Sequence, residues 1–382
     1  MHTKYYNSYL LVDLDRMRQN VDYLLGELPR GVQLVPVLKD DAYGLGLLPV
    51  AKTLLEFPAI RTLAVAHVSE GVALRRAGVD QKTEILVMGG IPNRLLRPAV
   101  DYELTAAVGR LGLAHDLAHL AAKLGTTARI QVKIETGLHR TGLLPGEELS
   151  LFLQEFSRCQ RLLRITGAFT HFAYLSDKKR TQKQFEDYLA GTVQLEEGGL
   201  TLPMCHIAAS AATELYPQYH LNAVRIGRRL NWDHPTQPTG KIQETATWRT
   251  YITNIRHLDK GELVGYNGAC RLERDTAVAT IGVGYGDGLS QEIVQKHGPV
   301  LVCGQRVPLL ACCMDQAMID VTGLPCHVDD EVTLFGWDRH GHFLSSQEVS
   351  LLAGDSEGCG LTSALSPRVA RVYVKTDPAT EN

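Results

Sequence analysis

The chain has 382 residues, 45% of them apolar and 21% charged, with a formal net charge of -3. Such a chain can bury most of its apolar surface as a globular enzyme and, at about 100–200 residues per domain, should divide in two. The near-neutral charge and the lack of a basic run exclude nucleic acid as the expected partner. The opening MHTKYYNSYLLVDLD has no apolar stretch for a signal peptide or membrane span, so a cytoplasmic location is expected.

Short apolar runs recur in chain order: LVPVLK (34–39), LAVAH (63–67), EILVMG (84–89), LTAAV (104–108), ARIQVKI (128–134), ITGAFTH (165–171), CHIAAS (205–210) and VRIG (224–227). Between them lie amphipathic segments such as LLPVAKTLLEF, EGVALRRAG and LGLAHDLAHLAAKLG. Apolar strands alternating with helices indicate parallel βα units, and eight of them predict an N-terminal (β/α)8 TIM-like barrel over residues 1–236. The Pro- and Gly-rich DHPTQPTGK reads as a linker. Beyond it ATWRTYITNIRHL, TAVATIGVGYG, GPVLVCGQRVPLL and DEVTLFG alternate like strands, followed by a helix near 346–354 and a last strand, RVARVYVKT. Residues 237–382 therefore read as a mostly antiparallel β domain, to which the first dozen residues of the chain could add.

The eight cysteines, Cys159, Cys205, Cys270, Cys303, Cys312, Cys313, Cys326 and Cys359, form no CxxC pair. They are expected to be small buried hydrophobes rather than zinc ligands or disulfides, and no metal is expected.

In a barrel of this kind the reacting groups lie at the C-terminal ends of the strands. Lys39 closes the first run and should face a pocket, where desolvation would lower its pKa and let the neutral amine form a Schiff base. On the residue alone, a lysine extending into solvent at a strand end is the competing reading.

The surrounding KDDAYGLG resembles the pyridoxal-lysine motif of the alanine racemase family. The likeness continues in order through KIETGLHRTG (133–142), THFAYLSD (170–177), HIAASAAT (206–213), VRIG (224–227), VGYNG (264–268), GVGYGDG (282–288) and CMDQ (313–316). The resemblance implies a pyridoxal-phosphate-dependent amino-acid racemase that interconverts L- and D-alanine by proton transfer at Cα. Lys39 would carry the cofactor, Tyr43, Ser210 and the backbone near Gly227 would hold its phosphate, and His171 would lie beside it. Arg225 would face the pyridine nitrogen. Because arginine can only donate, that nitrogen would stay unprotonated and the ring would be a weaker electron sink. Lys39 and Tyr266 would serve opposite faces of Cα as acid and base, with His171 and Arg140 helping the tyrosine to ionise. Arg140 and the Met314 backbone N–H would bind the substrate carboxylate, and Lys133 stands where the family often carries a carbamylated lysine. Tyr266, Tyr285, Met314 and Asp315 would reach the site of a second subunit, implying a homodimer. The physiological role would be supply of D-alanine for the cell wall or, alternatively, of D-serine.

Read without the motifs, the same residues have plainer roles. Ser210 suits a helix N-cap, Arg225 a surface strand end, Tyr266 a core strand and Lys133 a pair with an acid. Three departures from the family pattern stand out. Asp40, Asp41 and Leu45 replace Ala, Asn and His in the first motif, and Ala209 replaces Asn before Ser210. LSPRVAR puts Pro367 where the family has a tyrosine that narrows the substrate entrance. The last departure predicts an opened pocket with wider tolerance for serine or larger amino acids, since a pocket wall discriminates by about 1–3 kcal/mol per small group. Two other classes compete. A decarboxylase of similar barrel would set an acid, not Arg225, against the pyridine nitrogen. A cofactor-binding barrel without catalysis leaves the β domain without a purpose.

Overall fold

A computed structural model describes residues 5–233, 239–355, 358 and 360–375. The expected boundary at residue 236 and Cys359 lie outside the described residues. The chain forms two units, Asp22–Ala42 with Leu47–Leu230, and Met1–Val21 with Tyr43–Gly46 and Asn231–Asn382.

After an opening strand β1 (Ser8–Asp13), which belongs to the second unit, the first unit is built on eight short strands. They are β2 (Gln33–Pro36), β3 (Thr62–Val65), β4 (Glu84–Val87), β5 (Thr105–Val108), β6 (Ala128–Lys133), β7 (Leu163–Phe169), β8 (Cys205–His206) and β9 (Ala223–Ile226). Strands β3 to β8 pair in sequence order and all in parallel, and β2 pairs in parallel with β9. Single bridges from Val37 to Ala64 and from Ala209 to Arg225 join the two sets, so the pairing runs around a closed ring. Each of the eight apolar runs supplies one strand. Val35, Ala64, Leu86, Ala107, Phe169, Met204 and Ala223 pack together inside the ring. The outer helices follow their apolar spacing. Leu113–Leu124 buries Leu113, Ala114, Leu117, Ala118 and Ala121, and stops where Gly125 adopts a left-handed φ of 65°.

Two strands are shorter than expected. β2 ends at Pro36 rather than at Lys39, because the chain turns left-handed from Asp40 onward. The CHIAAS run gives only Cys205–His206 before a helix starts at Ser210.

The second unit is a β structure. Its strands after β9 are β10 (Ala246–Leu258), β11 (Leu263–Val264), β12 (Cys270–Arg271), β13 (Thr276–Ile281), β14 (Pro299–Val302), β15 (Gln305–Cys312), β16 (Ala317–Asp320), β17 (Glu331–Trp337), β18 (Phe343–Leu344) and β19 (Ala370–Val374). The GPVLVCGQRVPLL run is two strands, because Cys303 and Gly304, with φ of 48° and 75°, turn the chain into a hairpin. The long β10 pairs with β13 through one half and with β17 through the other, so six antiparallel strands close on themselves. β1 adds to β10 antiparallel and to β19 in parallel. Trp248 and Phe335 pack at its centre, 6.0 Å between ring centroids, and the indole N–H donates to Ser8 Oγ at 2.7 Å.

The grouping of Tyr43–Gly46 with this unit explains both glycines of the YGLG segment. Each has a left-handed φ, 78° at Gly44 and 99° at Gly46. A Cβ on Gly44 would collide with the carbonyl oxygen of Thr362, and one on Gly46 with the phenol of Tyr373. Gly44→Ala should therefore lower stability by about 2 kcal/mol or more, combining a left-handed alanine with a clash against backbone. A urea midpoint that moves down with an unchanged slope would show it.

Candidate active site

The first unit gathers its chemistry at the C-terminal ends of the barrel strands. Lys133 is the last residue of β6, His171 follows β7, Ser210 follows β8, and Arg225 and Gly227 end and follow β9. Arg225 is the organising group. It is 2% exposed, and its two Nη atoms donate to five acceptors: His206 Nδ1 (2.7 Å), His206 O (3.3 Å), Thr170 O (2.8 Å), His171 Nδ1 (3.0 Å) and Ile207 O (3.1 Å). It is no surface strand-end arginine. Burial lowers its pKa to about 10, which leaves it charged at neutral pH.

This arrangement fixes two imidazoles. Arginine has no acceptor, so Nδ1 of both His206 and His171 must accept and the proton of each sits on Nε2. Burial first, then the charges of Arg225, Arg140, Lys133 and Lys39, push the His171 pKa down to about 3. His171 is therefore neutral, and it can aid a tyrosine as a hydrogen-bond donor rather than as a cation. The fully buried His206 stacks on Phe169, 5.0 Å between centroids, and is likewise held neutral by burial and by Arg225. Its Nε2–H donates to Gln131 Oε1 at 2.8 Å, and Gln131 Nε2 donates to Glu84 at 3.1 Å. A polar chain thus runs through the barrel interior from Arg225 to a carboxylate. The sequence carried its signal: Gln131 stands between Ile130 and Val132, and His206 opens the apolar Ile207–Ala208 pair.

Lys133 is 5% exposed, and among the described residues no carboxylate lies within ion-pair distance of it. The expected acid partner is absent there, and Nζ donates to Thr141 Oγ1 at 2.5 Å. Burial, then Arg140 and Arg225, lower its pKa to about 8. The loop behind it wraps one carboxylate oxygen: Glu135 accepts from the N–H groups of Gly137 (2.5 Å) and His139 (3.0 Å), which sets the path to the exposed Arg140.

Ser210 is not the N-cap of its helix; that position is Ala209. Its hydroxyl instead reaches the loop after β9, accepting from Gly227 N–H at 3.2 Å and Arg229 N–H at 3.5 Å. Ala209 bridges β8 to β9, a backbone role that needs no asparagine side chain.

Lys39 corrects an expectation. It is exposed, not shielded by the strand, because β2 ends three residues earlier, at Pro36. Its neighbours Asp40, Asp41, Ala42 and Tyr43 all have left-handed φ, 57°, 53°, 55° and 59°. Glu70, unnoticed in the sequence, holds this turn. Its carboxylate accepts from the N–H groups of Asp40 (2.6 Å), Ala66 (2.9 Å) and His67 (2.9 Å). The Asp41 carboxylate accepts from Leu47 N–H at 2.7 Å, capping the helix Leu47–Leu54, so this departure from the family pattern is a local structural device.

The second unit holds the remaining candidates on exposed loops. Tyr266 is 76% exposed, Met314 57% and Tyr285 41%, and Asp315 is exposed. Tyr266 is no core aromatic. The GVGYGDG and CMDQ segments meet: Tyr285 N–H donates to Cys313 O at 3.0 Å and Gly286 N–H to Met314 O at 2.8 Å. Asp287 ties in the segment around Pro367. Its carbonyl accepts from Ser366 N–H at 3.0 Å, and its carboxylate lies 3.1 Å from the Arg368 guanidinium. Pro367 itself is exposed. Tyr43, half-buried, lies edge-on to Trp232 at 6.3 Å. Cysteine burial was overestimated: of the seven described cysteines only Cys159 is buried.

A parallel barrel with a buried arginine, two neutral imidazoles and a buried lysine at its C-terminal rim defines an enzyme of the (β/α)8 class. Residues 12–234 match the alanine racemase N-terminal domain and 245–373 the alanine racemase C-terminal domain. An alanine racemase of Clostridium tetani is 33% identical over 95% of this chain and 94% of its own. One of Methanococcus maripaludis is 31% identical over 95% and 97%. The alanine racemase structure from Bacillus anthracis, solved with bound L-Ala-P, superposes with a TM-score of 0.88 at 30% identity, covering 98% of this chain and 96% of that one. That from Streptomyces coelicolor gives 0.90 at 27%, covering 97% and 98%. The chain belongs to the alanine racemase family, and is an isomerase that racemises amino acids. Among the described residues no helix is long and apolar enough to cross a membrane.

Proposed function

We propose that this chain interconverts L- and D-alanine with pyridoxal phosphate, as a cytoplasmic homodimer whose two sites each draw on both subunits and supply D-alanine for the cell wall. The observation that carries the cofactor reading is Arg225. Both Nη atoms are used within the barrel, and among the described residues Nε has no hydrogen-bond partner, so it is the donor left for a ring nitrogen. Ser210 Oγ with the amides of Gly227 and Arg229 forms a polar cluster suited to a phosphate, joined in this reading by Tyr43. When bound, pyridoxal phosphate withdraws electrons from the substrate Cα and makes its proton acidic.

The chain's own groups then divide the work. Lys39 anchors the cofactor and moves a proton on one face. Tyr266 of a second copy moves the proton on the other, and the exposure of Tyr266, Tyr285, Met314 and Asp315 supports a shared site. His171 offers Nε2–H towards the tyrosine. Arg140 and the Met314 amide orient the substrate carboxylate. Arg225, a donor only, would face the pyridine nitrogen and so leave the bound ring a weaker electron sink, which would disfavour decarboxylation and transamination.

Lys133 is the proposed carbamate that orients Arg140. A buried amine with a pKa near 8 and no acid partner among the described residues has the neutral form that reacts with carbon dioxide. Incubation with carbon-13 bicarbonate should give a carbamate signal that Lys133→Ala abolishes. Unmodified, Lys133 would bind its proton less well folded than unfolded. Stability would then rise with pH between about 8 and the ordinary lysine value of 10.5, and the carbamate removes this rise.

Chiral chromatography of alanine, serine and lysine reactions with added pyridoxal phosphate tests the whole reading. Alanine conversion lost in Tyr266→Phe is expected, and no conversion of any amino acid would overturn it. The second reading, a broader racemase, rests on Pro367, which Ser366 and Arg368 tether beside the Tyr285 loop. In that case Pro367→Tyr should lower the serine-to-alanine rate ratio by about tenfold.

A further inference from the structure

The hairpin between β14 and β15 turns through Cys303 and Gly304. Its first turn position, with φ of 48°, normally favours Asn, Asp or Gly, and here holds a cysteine. A second cysteine, Cys326, comes from the loop between β16 and β17 and places its Sγ 3.3 Å from that of Cys303. Both thiols are half-buried, so a small reagent can reach them. The Cys326 loop is closed through Asp330, whose Oδ2 accepts from His327 N–H at 2.7 Å and from Cys303 Sγ at 4.0 Å and whose N–H donates to His327 O at 3.2 Å. Bringing two sulfurs together is the entropic cost of a disulfide, and the fold has already met it.

We propose that Cys303 and Cys326 are a redox pair that closes to a reversible disulfide by exchange with a small-molecule disulfide such as glutathione disulfide. The Cys303 thiolate attacks one glutathione sulfur, forms a mixed disulfide and releases one glutathione. Cys326 loses its proton to solvent, attacks the Cys303 sulfur and releases the second. Two protein thiols become one disulfide while one glutathione disulfide becomes two glutathiones. Burial, the hydrogen bond with Cys303, and the charges of Cys303 and Asp330 push the Cys326 thiol up to about 12. The 3.3 Å separation puts Cys326 within reach of the adduct sulfur.

The closed form ties the hairpin to the loop before β17, and should raise the melting temperature by roughly 5 °C. The test treats the native protein with glutathione disulfide, alkylates remaining thiols under denaturing conditions and maps the peptides by mass. Expected are a Cys303–Cys326 linked peptide, alkylation of the other cysteines, and a higher melting temperature reversed by dithiothreitol. Cys326→Ser should stop at a glutathione adduct on Cys303. Full alkylation of both thiols, a lasting adduct on Cys303 in the unsubstituted chain, or a link to another cysteine would overturn the proposal.

Discussion

Lys39→Ala should abolish the pyridoxal absorbance band and lower racemisation by roughly 10⁴-fold or more, while leaving the fold intact. The two halves of this expectation have separate grounds. Lys39 is exposed at the start of a turn anchored through the backbone of Asp40, the carboxylate of Asp41 and Glu70. Removing an exposed side chain of this kind changes stability by about 0.5 kcal/mol or less. Its chemistry has no substitute nearby. Lys133 has a depressed pKa but is buried and faces Thr141, and His171 is neutral with one nitrogen committed to Arg225. Absorbance, chiral turnover and urea unfolding on one preparation would check it. A variant that kept its absorbance band would remove Lys39 from the role of anchor.

Arg225→Ala should cost about 3 kcal/mol of stability in addition to activity. The substitution strips donors from three backbone carbonyls, His206 O, Ile207 O and Thr170 O, and from two imidazole nitrogens. An orphaned buried acceptor costs about 1–3 kcal/mol. Relief of the buried charge, together with new tautomers for His171 and His206, offsets part of that sum. Arg225→Lys should recover only a fraction, because one ammonium has three hydrogens for five acceptors. Denaturant unfolding of the three proteins would rank them. If Arg225→Lys matched the parent, the planar fork would be irrelevant to the fold.

The barrel was legible because burial on both faces leaves a parallel strand almost wholly apolar, and eight such runs stand out between amphipathic helices. The β unit was less so. Its hairpin at Cys303–Gly304 was hidden inside one apolar run, since cysteine at a left-handed turn position lacks the usual Asn-Gly mark. At the site, the family motifs picked out Lys133, His171, Ser210 and Arg225, and the strand ends put them on the barrel rim. The sequence did not reveal what each one touches. Ser210 reads as a helix cap until the loop after β9 is seen to lie against its hydroxyl. Arg225 reads as a surface residue until five acceptors close around it. Glu70 was invisible because its partners, the amides of Asp40, Ala66 and His67, carry no side-chain signature.

Four successive non-glycine residues after Lys39 wind left-handed, each at roughly 1–2 kcal/mol above its right-handed alternative. Nothing in that peptide favours such a shape before the rest of the barrel exists. Its order comes from the Glu70 carboxylate on the following βα unit and from the start of the helix Leu47–Leu54. During synthesis or refolding, the segment that carries the lysine should therefore be among the last to settle. Cofactor capture would then act as a receipt for completed assembly, given only to chains whose first two βα units have already found each other.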